Sequence, residues 1–221
     1  MNSRGLVADS FAWPFRGDWR PKWAWGVPAV LFIPVTFIPL LGYAIAATRA
    51  AERDPSSGPP ALAPSRRLLA DGLWTSLAIL LITLPFALAF GFLSGWLFDV
   101  HVWRSNDPAT SQLFAHVLAL CILALPWGLA LLVLMPHATA AFAASGRPRD
   151  LFDARGPIHA VRRDFTTWNL AAAAMVTAWT LGLACVGLLC LGLVPGVFYA
   201  ILVSAHASAA LHHESADSSA R

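Results

Sequence analysis

The residues of this chain best equipped for chemistry are its histidines. His116 and His137 fall in one apolar stretch, His206 lies near the end of another, and His212 and His213 follow just beyond it. His206 and His213 are seven positions apart, close to two helical turns, so they can share a face. A metal site needs three or four converging ligands, each held by a further hydrogen bond, and no local cluster completes such a set. Interhelical hydrogen bonding or interface placement is the simpler use for them. There is no HExxH, no GxSxG and no phosphate loop. Asp71 and Asp99 mark the two ends of one apolar stretch, positions suited to capping or to an interface. Ionisable groups within a membrane are costly and mark function, and no carboxylate falls inside a span. The expectation is a protein that is not an enzyme and uses no cofactor and no metal.

The elements around these residues are written for lipid. Apolar residues make up 57% of the 221 positions and charged residues 12%, against roughly half and a quarter in soluble domains. From Leu170 to Leu211 there is no Asp, Glu, Lys or Arg. About 20 apolar residues span a bilayer core as a helix, so this stretch holds two spans, 170–191 and 195–211, turning at Gly192 to Gly196. Small residues recur every four positions on both arms: Ala174, Ala178 and Gly182 on the first, Gly196, Ala200 and Ser204 on the second. Such ladders let helix backbones approach in lipid. Cys121, Cys185 and Cys190 all lie in apolar spans and read as packing residues. No cleavable secretory signal is recognisable at the N-terminus.

Residues 1–24 read as an interfacial segment in which Trp13, Trp19 and Trp23 alternate with Arg16, Arg20 and Lys22. The next apolar stretch, 25–48, carries Pro28, Pro34 and Pro39, followed by Gly42 and Tyr43. The prolines remove backbone donors, leaving either one kinked crossing or a re-entrant hairpin of two half-helices that turns near Pro34 to Pro39. Arg4, Arg16, Arg20 and Lys22 precede the stretch and Arg49, Arg53, Arg66 and Arg67 follow it. Basic flanks on both sides favour a return to the side of entry. After a proline-rich loop comes a span at 68–98, with Trp74 and Trp96 about 33 Å apart along a helix as two aromatic belts. Its Gly91 and Gly95 form a GxxxG packing step. A loop holding only Arg104 leads to a span at 113–144, interrupted by Pro126 and Pro136. The most basic loop follows, with Arg147, Arg149, Arg155, Arg162 and Arg163. Within it Pro157, Ile158, Val161 and Phe165 suggest a short surface helix that turns Arg162 and Arg163 toward phosphates. Residues 212–221 are polar and read as a disordered tail.

Several short motifs resemble a known family. These are Pro14, Phe15, Trp19 and Lys22 at the entry, the Gly42-Tyr43 pair leading to Arg49, and Asp71-Gly72-Leu73 opening the next span. In the second half they are Leu134-Met135-Pro136 through Phe142, Leu151-Phe152-Asp153, Phe198-Tyr199-Ala200 and Ser204-Ala205-His206. In order and spacing they resemble the bacterial and archaeal membrane family called domain of unknown function 4013, which implies integral membrane location and no established activity. Where that family tends to have Leu-Pro-Glu-Trp, this chain has Ala61-Leu62-Ala63-Pro64. The fold expected is all-α: a polytopic helical membrane protein with about four full transmembrane helices and a proline-broken first segment, in one domain over 25–211. Two functions fit. One is a noncatalytic scaffold or accessory subunit, and the other is a small transporter or channel with a pathway at the first segment. The expected partners are the lipid bilayer and other membrane proteins or a second copy, with no nucleic acid, because the arginines flank spans rather than lining one basic helix. The expected location is a prokaryotic cell membrane, with both termini cytoplasmic.

Overall fold

A computed structural model describes residues 5–100, 105–185 and 192–219, with side chains described as far as Leu211. Among them there are eight α-helices and no strand: α1 (Leu6–Ala12), α2 (Trp19–Leu31), α3 (Ile33–Arg53), α4 (Arg66–Asp99), α5 (Pro108–Ser145), α6 (Arg155–Arg163), α7 (Phe165–Ala184) and α8 (Leu193–Ser219). Short 3-10 turns at Trp13–Phe15 and Pro148–Leu151 precede α2 and α6. Four helices are long and apolar enough to cross a membrane: α3, α4, α5 and Leu193–Leu211 of α8. The protein is therefore an all-α polytopic one. Its four qualifying helices are not the expected four, since α3 joins them and the described part of α7 does not. Residues 186–191, including Cys190 and the end of the expected span, lie outside the described residues. The helix of α8 runs on to Ser219, into the tail whose composition suggested disorder.

The chain forms two compact units, Met1–Ser76 with Leu134–Arg221 and Leu77–Val133. In the first, α7 and α8 pack through their small residues. Ala174, Ala178 and Ala200 are fully buried, and Gly182 and Gly196 meet so closely that a Cβ on Gly182 would stand 2.8 Å from the Gly196 carbonyl oxygen. Trp179 Nε1 donates to Ser204 Oγ across the same seam, at 3.2 Å. Along the other side of α8 runs α3. Leu40, Tyr43, Ala47 and Ala51 share a core with Phe198, Leu202, Ala205 and Ala209.

The first apolar segment reverses. Phe32, at φ −95° and ψ 30°, breaks the helix between α2 and α3, and the Thr36 hydroxyl donates to the Ala29 carbonyl across the break. Trp23 and Tyr43 both pack on Phe198, with ring centroids 5.6 and 5.8 Å away, although on one unbroken helix they would be about 30 Å apart. The base of the hairpin is closed where Arg16 Nη1 donates to the Pro55 carbonyl at 2.9 Å. The turn therefore lies ahead of the Pro34 to Pro39 window. Pro34 occupies the first turn of α3, where its missing N–H would have had no partner, while Pro28 and Pro39 lie within helices. The arms are unequal, 13 and 21 residues, or about 20 and 32 Å, so a short arm and a full-length one replace the two half-helices expected.

In the second unit the distal parts of α4 and α5 pair through Phe90, Leu93 and Leu97 against Ala115 and Ala119, and Trp127 Nε1 donates to Thr83 Oγ1 at 3.1 Å. Asp107 begins α5, accepting from the Ala109 and Thr110 N–H groups directly before Pro108. α5 continues through Pro126 and Pro136 without a break in its assignment. Leu80, Leu88, Phe92 and Leu125 are exposed.

Candidate functional site

Two buried polar clusters of the first unit are the places where side chains could do more than pack. One joins α3, the start of α4 and the end of α5. Gly42 and Gly72 let α3 and α4 cross with backbones touching, since a Cβ on Gly42 would collide with the Leu68 carbonyl and one on Gly72 with that of Ile38. About two turns beyond Gly42, Arg49 reaches Asp71: Nη1 and Nη2 each donate to Oδ2 at 3.2 Å, and Nε donates to the Ala143 carbonyl at 3.0 Å. Both side chains are 11% exposed. Arg67 lies 4.0 Å from the same oxygen. Asp71 is thus neither a cap nor a free interface residue but half of a buried ion pair. The helix crossing brings its partner to it from 22 positions away, which no local pattern announces.

The second cluster lies between α1 and α8. Ser10 Oγ and His206 Nδ1 are 3.0 Å apart, both buried, and Trp13 packs on the imidazole at 5.4 Å. Tyr199 donates to the Phe11 carbonyl at 3.0 Å and Trp23 Nε1 to that of Pro14 at 3.2 Å. Asp9 and Arg16 pair at 2.6 Å beside them. Trp13 is fully buried and cannot meet headgroups, because α1 and the following 3-10 turn direct it inward. This corrects its placement at the membrane interface. Trp19 and Trp23 instead form an aromatic ladder with Phe15 and Tyr199, with Arg20 over the Trp19 ring at 5.7 Å and the Lys22 ammonium near Gly17.

The other singled-out residues scatter. Gly91 and Gly95 face open space, where an added Cβ meets nothing within 4 Å, so this GxxxG step packs on no helix among the described residues. Trp74 and Trp96 are exposed. Arg162 and Arg163 are exposed on α6. His116 binds the Gln112 carbonyl of its own helix at 2.7 Å. His137 lines a cavity of about 210 Å³ with Asp150, Asp153 and Pro157. Among the described residues no three His, Cys, Asp or Glu side chains are grouped to hold a metal. Outside the apolar helices, Asp54 is held below the usual carboxylate range by the Ser56 hydroxyl and N–H. Asp107 is likewise held low by the Thr110 hydroxyl and the Ala109 N–H.

Gly42 on Gly72, Arg49 on Asp71 and Tyr43 on Phe198 are contacts among the very motifs that suggested a family, and a family model described as protein of unknown function (DUF4013) matches residues 27–204. The chain belongs to the DUF4013 family. No curated protein and no solved structure matches it. In this DUF4013 chain the motif residues all fall within Met1–Ser76 and Leu134–Arg221, and Gly42, Gly72, Arg49 and Asp71 among them hold one helix crossing.

Proposed function

We propose that this protein is a noncatalytic helical component of a prokaryotic cell membrane, a scaffold or accessory subunit. The observation that carries the reading is the filling of its first unit. Phe198 occupies the space between the two arms of the α2–α3 hairpin, stacked on Tyr43 and pressed so closely on Gly26 that a Cβ there would collide with the ring. A pathway at the proline-broken segment, as a small transporter needs, requires water-lined irregular backbone at depth. Here the space between the arms is filled by Val30, Leu40, Leu202 and aromatic rings, and the reversal itself exposes the apolar side chains of Leu31, Phe32, Ile33 and Val35. The bond from Arg16 to Pro55 supports placing the N-terminal segment and the 54–65 loop on one side, and the arginines of 49–67 and 145–168 favour the cytoplasmic side for both.

Thiol accessibility in reconstituted protein tests the choice. With Cys121, Cys185 and Cys190 replaced by Ala, Leu202→Cys is expected to resist a water-soluble thiol reagent while Ser57→Cys reacts. Reaction of Leu202→Cys at the Ser57→Cys rate would favour the transporter.

A further inference from the structure

The loop from α5 to α7 carries charges that its own fold leaves unanswered. Its three carboxylates are engaged locally. Asp150 accepts from the Ser145 hydroxyl and lies 3.8 Å from Arg149. Asp153 Oδ1 accepts the N–H of Arg155 at 2.9 Å and of Gly156 at 3.3 Å, and Asp164 Oδ1 accepts that of Thr167 at 3.1 Å. Arg147, Arg155 and Arg162 are exposed, and their guanidinium groups have no partner among the described residues. Interleaved with them are Phe152, Ile158 and Phe165, 41%, 42% and 60% exposed. The segment is seated rather than loose, since Leu151 and Pro157 are buried. Phe152 also packs edge-on against Trp74 at 6.3 Å, at the start of the apolar run of α4.

We propose that α6 and its flanking turns bind anionic phospholipid headgroups, with Arg147, Arg155 and Arg162 on phosphates and Phe152, Ile158 and Phe165 in the acyl boundary. An acidic protein or a nucleic acid would answer the arginines alone. A leaflet answers both sets at once, because phosphate and hydrocarbon lie within a few ångströms of each other there. The segment is tethered to α5 at one end and leads into α7 at the other, which holds it beside the apolar helices. The proposal rests on membrane residence.

Full-length protein in nanodiscs of phosphatidylcholine, with and without phosphatidylglycerol, tests it by hydrogen exchange over 147–163 and by native mass spectrometry of retained lipid. Exchange is expected to slow when phosphatidylglycerol is present. Each arginine replaced by Gln should weaken phosphatidylglycerol retention by about fivefold, and R147K/R155K/R162K should restore most of it. Equal exchange in the two discs, or equal retention by R147Q/R155Q/R162Q, overturns the proposal, as does protection by single-stranded RNA with none from phosphatidylglycerol. A chain that fails to enter nanodiscs refutes membrane residence itself, a distinguishable result.

Discussion

α8 and the distal α4–α5 hairpin are both apolar enough to cross a membrane, yet 56% of the α8 window is buried in protein and 6% of the α4 and α5 windows are. Their residues explain the difference. α8 turns Gly196, Ala200 and Ser204 toward α7 and sets Ala205 and Ala209 beside Phe198 and Leu202 in its core with α3, so both helices can lie close against it. α4 and α5 present Leu, Ile and Phe around most of their circumference, which suits lipid or a partner but leaves neighbouring backbones far apart. Hydropathy says that a helix avoids water. Side-chain size says what it touches instead.

The sharpest way to break this contrast is to put bulk where backbones meet. Gly42→Leu places a side chain against the Leu68 carbonyl, and the expected outcome is loss of folded protein in detergent, a destabilisation beyond about 4 kcal/mol, read as the absence of a monodisperse peak. Second is the ion pair. Arg49→Met strands Asp71 and should cost about 3 kcal/mol, while R49M/D71L should recover part of that, seen as a thermal-melting difference in a double-mutant cycle. Third, Gly182→Leu should lower stability by about 2 kcal/mol through its collision with Gly196, whereas Gly95→Leu in the other unit should change it by less than about 0.5 kcal/mol. A large effect at Gly95 would mean that its open face is covered in the native assembly. The smallest effect concerns Asp107. Its folded carboxyl titrates below the usual range, so its capping contribution is present above that range and is lost as pH falls through its lowered value. Protection of the Ala109 and Thr110 amides, relative to their intrinsic exchange at each pH, should fall as pH drops below the usual carboxylate range and should not change there in Asp107→Asn.

Much of this was legible in advance, because small-residue periodicity and proline placement are local signals. Gly182 and Gly196 could be paired from their ladders, and the reversal before α3 could be inferred from basic flanks and prolines. Its position at Phe32 could not, since Pro34 reads as a breaker but serves as the first turn of a helix. The buried clusters were hidden for a different reason. Arg49 and Asp71, or Ser10 and His206, are ordinary polar residues until two distant helices are laid side by side. Trp13 was misplaced because aromatic residues among arginines look the same whether they face headgroups or a core.

The separation between Ser10 and His206 also sets an order of events during synthesis. The short arm α2 packs on Phe198, and Ser10 of α1 meets His206, 196 positions later. Neither surface exists until α8 has been made, so α1 and α2 emerge well before those surfaces are there to receive them. Until then Trp19, Arg20, Lys22 and Trp23 of α2 suit the membrane surface as a place to wait. A chain terminated before Phe198 would leave α2 without the ring it packs on and Ser10 without His206.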